Sequence, residues 1–125
     1  MASGQGFAPG RHRIDDYGGG GFRFADMSHR GTILATPSGV RALDLVSARD
    51  IDEGTLDLVL GDPSGRPDLL LIGTGPDLAP LGAPLRAKLR AAGIGCETMA
   101  TGAAVRTYNL LIDENRRVAA LLIAV

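Results

Sequence analysis

The sequence predicts an α/β fold: a sheet with helices against its faces and a small antiparallel portion on the N-terminal side. Three observations carry this. From residue 68 onward, apolar runs of strand length alternate with helix-period segments in the order strand, helix, strand, helix, strand, the pattern of an α/β sheet. The first third offers short alternating stretches separated by Gly and Pro, as antiparallel strands joined by turns do. A chain of 125 residues, 45% hydrophobic, 4% aromatic and without Trp, fits one core built mainly from Leu, Ile, Val and Ala.

Residues 1–13 read as a flexible N-terminal tail, because Gly and small polar residues leave little to bury, and residues 14–125 as a single α/β domain. His12 goes with the tail. The run Gly18-Gly19-Gly20-Gly21 reads as a turn in which glycine supplies positive φ. Phe22-Arg23-Phe24 alternates like a half-buried strand, Gly31 to Thr36 is a second strand stopped by Pro37, and Pro37-Ser38-Gly39 is turn chemistry. Arg41 to Val46 alternates again and completes the small antiparallel layer.

The period then changes. Asp52 or a neighbouring Asp caps a helix carrying Leu56, Leu58, Val59 and Leu60, which Gly61-Asp62-Pro63 ends. Asp68-Leu-Leu-Leu-Ile72 reads as a strand buried on both faces. A helix follows from about Ala83 to Ala92, with Pro84 in its first turn and Gly93 ending it. Ile94 to Thr98 is the next strand, Thr101 is placed to cap a helix through Asp113, and Val118 to Val125 closes the chain as a strand too apolar for a sheet edge.

Composition excludes several functions. Thirteen Lys plus Arg against 14 Asp plus Glu, with no stretch of one sign, leave no electrostatic footprint for nucleic acid or an anionic membrane. A single Cys, Cys96, excludes an internal disulfide framework and a multi-Cys metal site and suits a reducing compartment. The N-terminus lacks the apolar core of a secretory signal and no apolar run reaches membrane-spanning length. The expectation is a cytoplasmic protein with no membrane insertion, no metal and no cofactor.

Familiar chemistry is sparse. In "LLLIGTGPDL" Gly73 and Gly75 follow a buried strand, but the third glycine of a dinucleotide fingerprint is Leu78, and Pro76 removes an amide donor. The stretch Gly73-Thr74-Gly75 therefore reads as a tight turn, at the sheet edge where α/β proteins bind ligands. No phosphate loop and no Gly-x-Ser-x-Gly elbow occur. Cys96 and His29 are the only thiol and imidazole outside the tail, and Cys96, on an expected inner strand, reads as a small hydrophobe.

The stretch "ETMATGAAVRTYNLLIDENRR" is richer. At about 100° per residue, Ala104, Val105, Thr107, Tyr108, Leu111 and Ile112 share one side of its helix, and Arg106, Asn109 and Asp113 share the other. Ala103 and Leu110 flank Arg106, so the second face is either a solvated helix surface or one that meets another molecule. Glu97 is near enough in sequence to pair with Arg106.

Taken together, "FRF…GTILATPSGV", "LLLIGTG", "LRAAGIGCETMATGAAVRTYNLL" and "RRVAALLIAV" resemble the small domain family of the mitochondrial respiratory complex I assembly factor three and its bacterial and archaeal relatives, which includes an adipogenesis-associated protein. The likeness runs from about Ile14 to Val125 and is most specific at Glu97-x-Met99-x-Thr101-x-x-Ala104-x-Arg106-Thr107-Tyr108-Asn109 and Arg117-Val118-Ala119-Ala120. It implies a compact three-layer α/β domain with a mixed central sheet, and a protein-binding role in assembly. Two departures stand out. Leu43 or a neighbour occupies the place of a family Trp, and Val105 that of a family Cys.

The leading expectation is a non-catalytic binding or assembly domain. Glu97, Thr101, Arg106 and Asn109, with the Gly73-Thr74-Gly75 turn, would engage a protein partner or a small ligand. The alternative is an enzyme or binder of a small anionic metabolite, with Arg106 holding the anion and Glu97 as acid or base. In a third reading Glu97, Arg106 and Asn109 only tie the last strands and helix together.

Overall fold

The structure, a computed structural model, describes residues 7–125. Its strands are β1 (Ala8–Pro9), β2 (Asp16–Gly18), β3 (Gly21–Phe24), β4 (Met27–Arg30), β5 (Ile33–Thr36), β6 (Gly39–Ala42), β7 (Leu69–Gly73), β8 (Gly95–Met99) and β9 (Val118–Leu122). Its helices are α1 (Glu53–Leu60), α2 (Ala83–Ala91) and α3 (Thr101–Asp113). A six-stranded sheet runs in the order β1-β6-β5-β9-β7-β8, and β2-β3-β4 form a separate antiparallel sheet. The larger sheet is mixed, because β9 is antiparallel to β5 but parallel to β7, which is parallel to β8.

Strand alternation sorts the apolar side chains between two cores. Ala35, Ala120 and Leu71 lie in register across β5, β9 and β7 and face one way, while Leu34, Leu121 and Ile72 lie in register and face the other. On the first face Ala104, Val105 and Tyr108 of α3 and Phe22 and Phe24 of the small sheet close the core. On the second, Leu56 and Val59 of α1 and Leu89 of α2 do so. The result is three layers around β9, whose five residues are all buried. The chain passes from β7 to β8 through α2 and back across β7 to β9 through α3. Right-handed crossovers in opposite directions place the two helices on opposite faces.

Local signals end the elements as expected. Gly19 and Gly20, with φ of +61° and +83°, make the two-residue turn between β2 and β3. The Asp52 carboxylate accepts the Thr55 amide at 2.9 Å and caps α1. Gly93 stands in the left-handed region at φ +76° while the Ile94 amide reaches back to the Leu89 carbonyl at 3.0 Å, a Schellman close. The turn Ala25-Asp26 between β3 and β4 was not foreseen, since neither residue is Gly although both have positive φ.

Four expectations are corrected. The antiparallel layer comprises β2 to β4 only; β5 joins the main sheet because all four of its residues are apolar or buried on both faces. The strand expected over Arg41 to Val46 is Gly39–Ala42, because its ladder with β5 ends at the pair Ala42 and Ile33. Residues 1–6 of the expected tail lie outside the described residues, while Ala8, expected in that tail, is buried and pairs with Val40 as an edge strand. Cys96 lies on β8, at the sheet edge and not inside it.

Gly73 is where α3 comes closest to the sheet. A Cβ placed there would meet Thr101 Cα at 2.9 Å, Thr101 Oγ1 at 3.0 Å and Ala104 Cβ at 3.2 Å, so Gly73→Ala has to push the helix away. Chemical denaturation of that variant is expected to show a loss of about 1–3 kcal/mol; unchanged stability would mean that α3 is free to slide.

Candidate functional site

Thr101 does not cap α3 with its side chain, contrary to expectation; the cap position is Ala100, and Thr101 is the first helical residue. Its fully buried Oγ1 accepts the Gly75 amide at 2.9 Å and donates to the Ile123 carbonyl at 2.8 Å. The Thr101 amide in turn donates to the Gly75 carbonyl at 2.8 Å. The carboxyl ends of β7 and β9 are thereby fastened to the start of α3.

The Gly73-Thr74-Gly75 turn is closed in the same manner. The Ile123 amide donates to the Gly73 carbonyl at 2.9 Å, and the Thr74 amide to the Met99 carbonyl at 2.8 Å. Thr74 Oγ1 accepts the Ala79 amide at 2.9 Å and donates to the Asp77 carbonyl at 2.7 Å. These groups are satisfied within the fold, which leaves little for a phosphate to collect there.

Asn109 reads the chain's own backbone. Its Oδ1 accepts the Ile14 amide and its Nδ2 donates to the Ile14 carbonyl, both at 2.8 Å. An amide side chain that pairs with both groups of one residue acts as a short strand edge. The same segment is held at the last residue of α3 and just beyond it. Arg13 forms an ion pair with Asp113, and Arg11 donates to Asn115 Oδ1 at 3.2 Å and to the Arg116 carbonyl. The polar face of α3 is therefore largely a rail for residues 11–14.

Glu97 and Arg106 are brought to none of this. Both are exposed, and the ion pairs among the described residues join Arg13 to Asp113 and Lys88 to Glu53 and Asp57. The expected Glu97 to Arg106 pair is absent from them. Beside Arg106, one turn on, Leu110 is 58% exposed. Tyr108 is 1% exposed, and burial pushes its hydroxyl up to about 12. Cys96 packs toward the α1 and α2 face, whereas His29 lies on β4 against the Phe24 ring, so thiol and imidazole do not meet. Burial also raises the thiol above its ordinary range, keeping it protonated.

Asp62, in the Gly61-Asp62-Pro63 stop after α1, has a second role that the sequence reading lacks. It is buried, and its carboxylate accepts from Thr36 Oγ1 at 2.6 Å, from Ser38 Oγ and from the Ser64 amide at 3.2 Å. The local half, an Asp two residues before Ser64, is readable as an Asx turn. The partners on the β5-β6 turn are 24 and 26 residues away, and no local pattern announces them.

The chain belongs to a family described as a protein of unknown function (DUF498/DUF598), which matches residues 14–123. It is 38% identical over 122 residues to an uncharacterized protein of Rhodobacter capsulatus, covering 94% of this chain and 88% of the relative. A crystal structure described as an outer membrane protein from Bartonella henselae shares 48% identity at a TM-score of 0.85, over 93% of this chain and 97% of that one. The solution structure of a Bordetella pertussis protein described as an Mth938-like domain shares 29% identity at a TM-score of 0.78, over 90% and 85%. Among the described residues of this chain, no helix is long and apolar enough to cross a membrane.

Asn109→Ala strands the Ile14 amide and carbonyl and is expected to cost about 1–3 kcal/mol, with faster hydrogen exchange at Ile14; unchanged exchange there would separate the strap from α3. Tyr108 yields a pH dependence. Its folded pKa of about 12 lies above the ordinary 10.0, so its contribution is complete below about pH 10 and is lost as the pH rises toward about 12. Urea unfolding should show wild type losing up to about 3 kcal/mol more than Tyr108→Phe across that window. Parallel curves for the two proteins would contradict this.

Proposed function

We propose that this member of the family is a non-catalytic binding domain that aids assembly of a protein complex, and that it meets its partner through the outward strip of α3 around Arg106 and Leu110. The observation that carries this is the division of the motif. Thr101 and Asn109, with the Gly73-Thr74-Gly75 turn, spend their hydrogen bonds inside the fold, whereas Arg106 stands exposed beside an exposed Leu. Arginine next to an apolar side chain is the chemistry of interface hot spots, offering a planar donor fork and area to desolvate.

The resemblance to the complex I assembly factor three family, including its adipogenesis-associated member, supports an assembly role of this kind. Of the residues read as a site, Arg106 carries the proposal and Glu97 lies on the neighbouring rim at the β8 edge. The alternative, an anionic metabolite held by Arg106 with Glu97 as acid or base, loses support because the two are not joined and Glu97 faces solvent. A cytoplasmic place of action is part of the proposal.

The test is a tagged pull-down from native cells, with wild type beside an Arg106→Ala, Leu110→Ala double variant and an Arg49→Ala control. Both changes of the double variant are at exposed positions, so its stability should stay within about 0.5 kcal/mol of wild type. A protein retained by wild type and control but lost from the double variant is the expected result. Equal retention by all three, or a partner found only in the membrane fraction, would overturn the surface or the location respectively.

A further inference from the structure

We infer a second site, independent of α3: the outer face of the three-stranded sheet is a cradle for the phosphate of a small phosphomonoester, held between Arg23 and Arg30. Register fixes which side chains share this face. Arg23 stands opposite Asp16 on β2 and Ser28 on β4, and Gly21 stands opposite Gly18 and Arg30. The intervening Phe22 and Phe24 point the other way, into the core. One row of the outer face thus ends in two glycines. A Cβ on Gly18 would stand in open space, whereas the place of one on Gly21 is taken by the His29 carbonyl; a recess of about 510 Å3 lies over this end of the sheet, lined by Gly18, Gly21, Arg23 and Arg30 among others.

Both guanidinium groups border this floor. Arg23 Nη1 donates to Ser28 Oγ at 3.0 Å, which lays its side chain along the sheet. Arg30 Nη1 lies 3.9 Å from where a Cβ of Gly20 would be, above the glycine turn. No hydrogen bond or ion pair engages the Arg30 guanidinium among the described residues. Asp16 is the opposing charge on the rim, and one of its oxygens accepts the Tyr17 amide at 2.8 Å.

Two arginine forks flanking a backbone floor suit a tetrahedral dianion, which has oxygens for both, better than a planar carboxylate, which one fork satisfies. Gly18, with nothing within 4 Å of where its Cβ would be, permits close approach of the anion to the main chain. The recess falls within the range of about 300–1,000 Å3 typical of small-molecule sites, far more than a bare phosphate fills, so an organic group is expected to occupy the remainder.

The experiment is a titration of the full chain followed by amide NMR, with inorganic phosphate, with ribose 5-phosphate and with sodium chloride at matched ionic strength. Expected are saturable shifts at Gly18 to Gly21 and Arg30 with both phosphates, tighter for the ester. Arg30→Gln and Arg23→Gln should each weaken binding roughly tenfold, Asp16→Asn should strengthen it, and Arg49→Gln should leave it unchanged. The substituted side chains are all exposed, and matching wild-type spectra away from the recess would verify folding. Shifts reproduced by chloride, or variants indistinguishable from wild type, would overturn the site. Equal affinity for the two phosphates would overturn the phosphomonoester in favour of inorganic phosphate.

Discussion

The hydroxyl of Thr101 ties the start of α3 to the ends of two paired strands, β7 and β9. It accepts from Gly75 after β7 and donates to Ile123 after β9, while sitting on the first turn of α3. Gly73 allows the contact by having no Cβ to keep the helix off. With α3 seated, Ala104, Val105 and Tyr108 close the core above Leu71 and Ala120, and the polar side of the helix is aimed at residues 11–14. Remove the seat and the N-terminal strap loses its rail.

The elements that were legible in the sequence are those whose cause is local. The unbroken apolar runs of β7 and β9, the Asp52 cap, the Gly93 stop and the glycine turn before Phe22 each follow from a few neighbouring residues. The division of the short strands between two sheets was not legible, because alternation reports how many faces are buried and not against what. Ile33 to Thr36, buried on both faces, held a clue. The Asp62 cluster and the clamp of Asn109 on Ile14 depend on residues brought together from far apart, which no window along the chain contains.

The Arg-Thr-Tyr-Asn motif is instructive for the same reason. In sequence the polar helix face reads as solvated, as a structural tie or as a surface for another molecule, and most of it holds this chain's own segments. Tyr108 belongs to the core, Asn109 to the backbone of Ile14, and Asp113 to Arg13, leaving Arg106 outward. A motif that is specific in sequence can thus be specific because the fold needs it. What faces outward on this helix is the residue that the internal network leaves over.

The clamp between Ile14 and Asn109 joins residues 95 apart, and β5 must likewise wait for β9. Synthesis proceeds from the N-terminus, so residues 14–36 leave the ribosome long before the helix and strand that cover them exist. During that interval Phe22 and Phe24 lack their lid and β5 lacks a neighbour on one side. Such exposed apolar surface and unpaired strand edges invite association between nascent chains. The cost of completing the sheet with a strand made late is a vulnerable period at birth, which ends when β9 enters between β5 and β7.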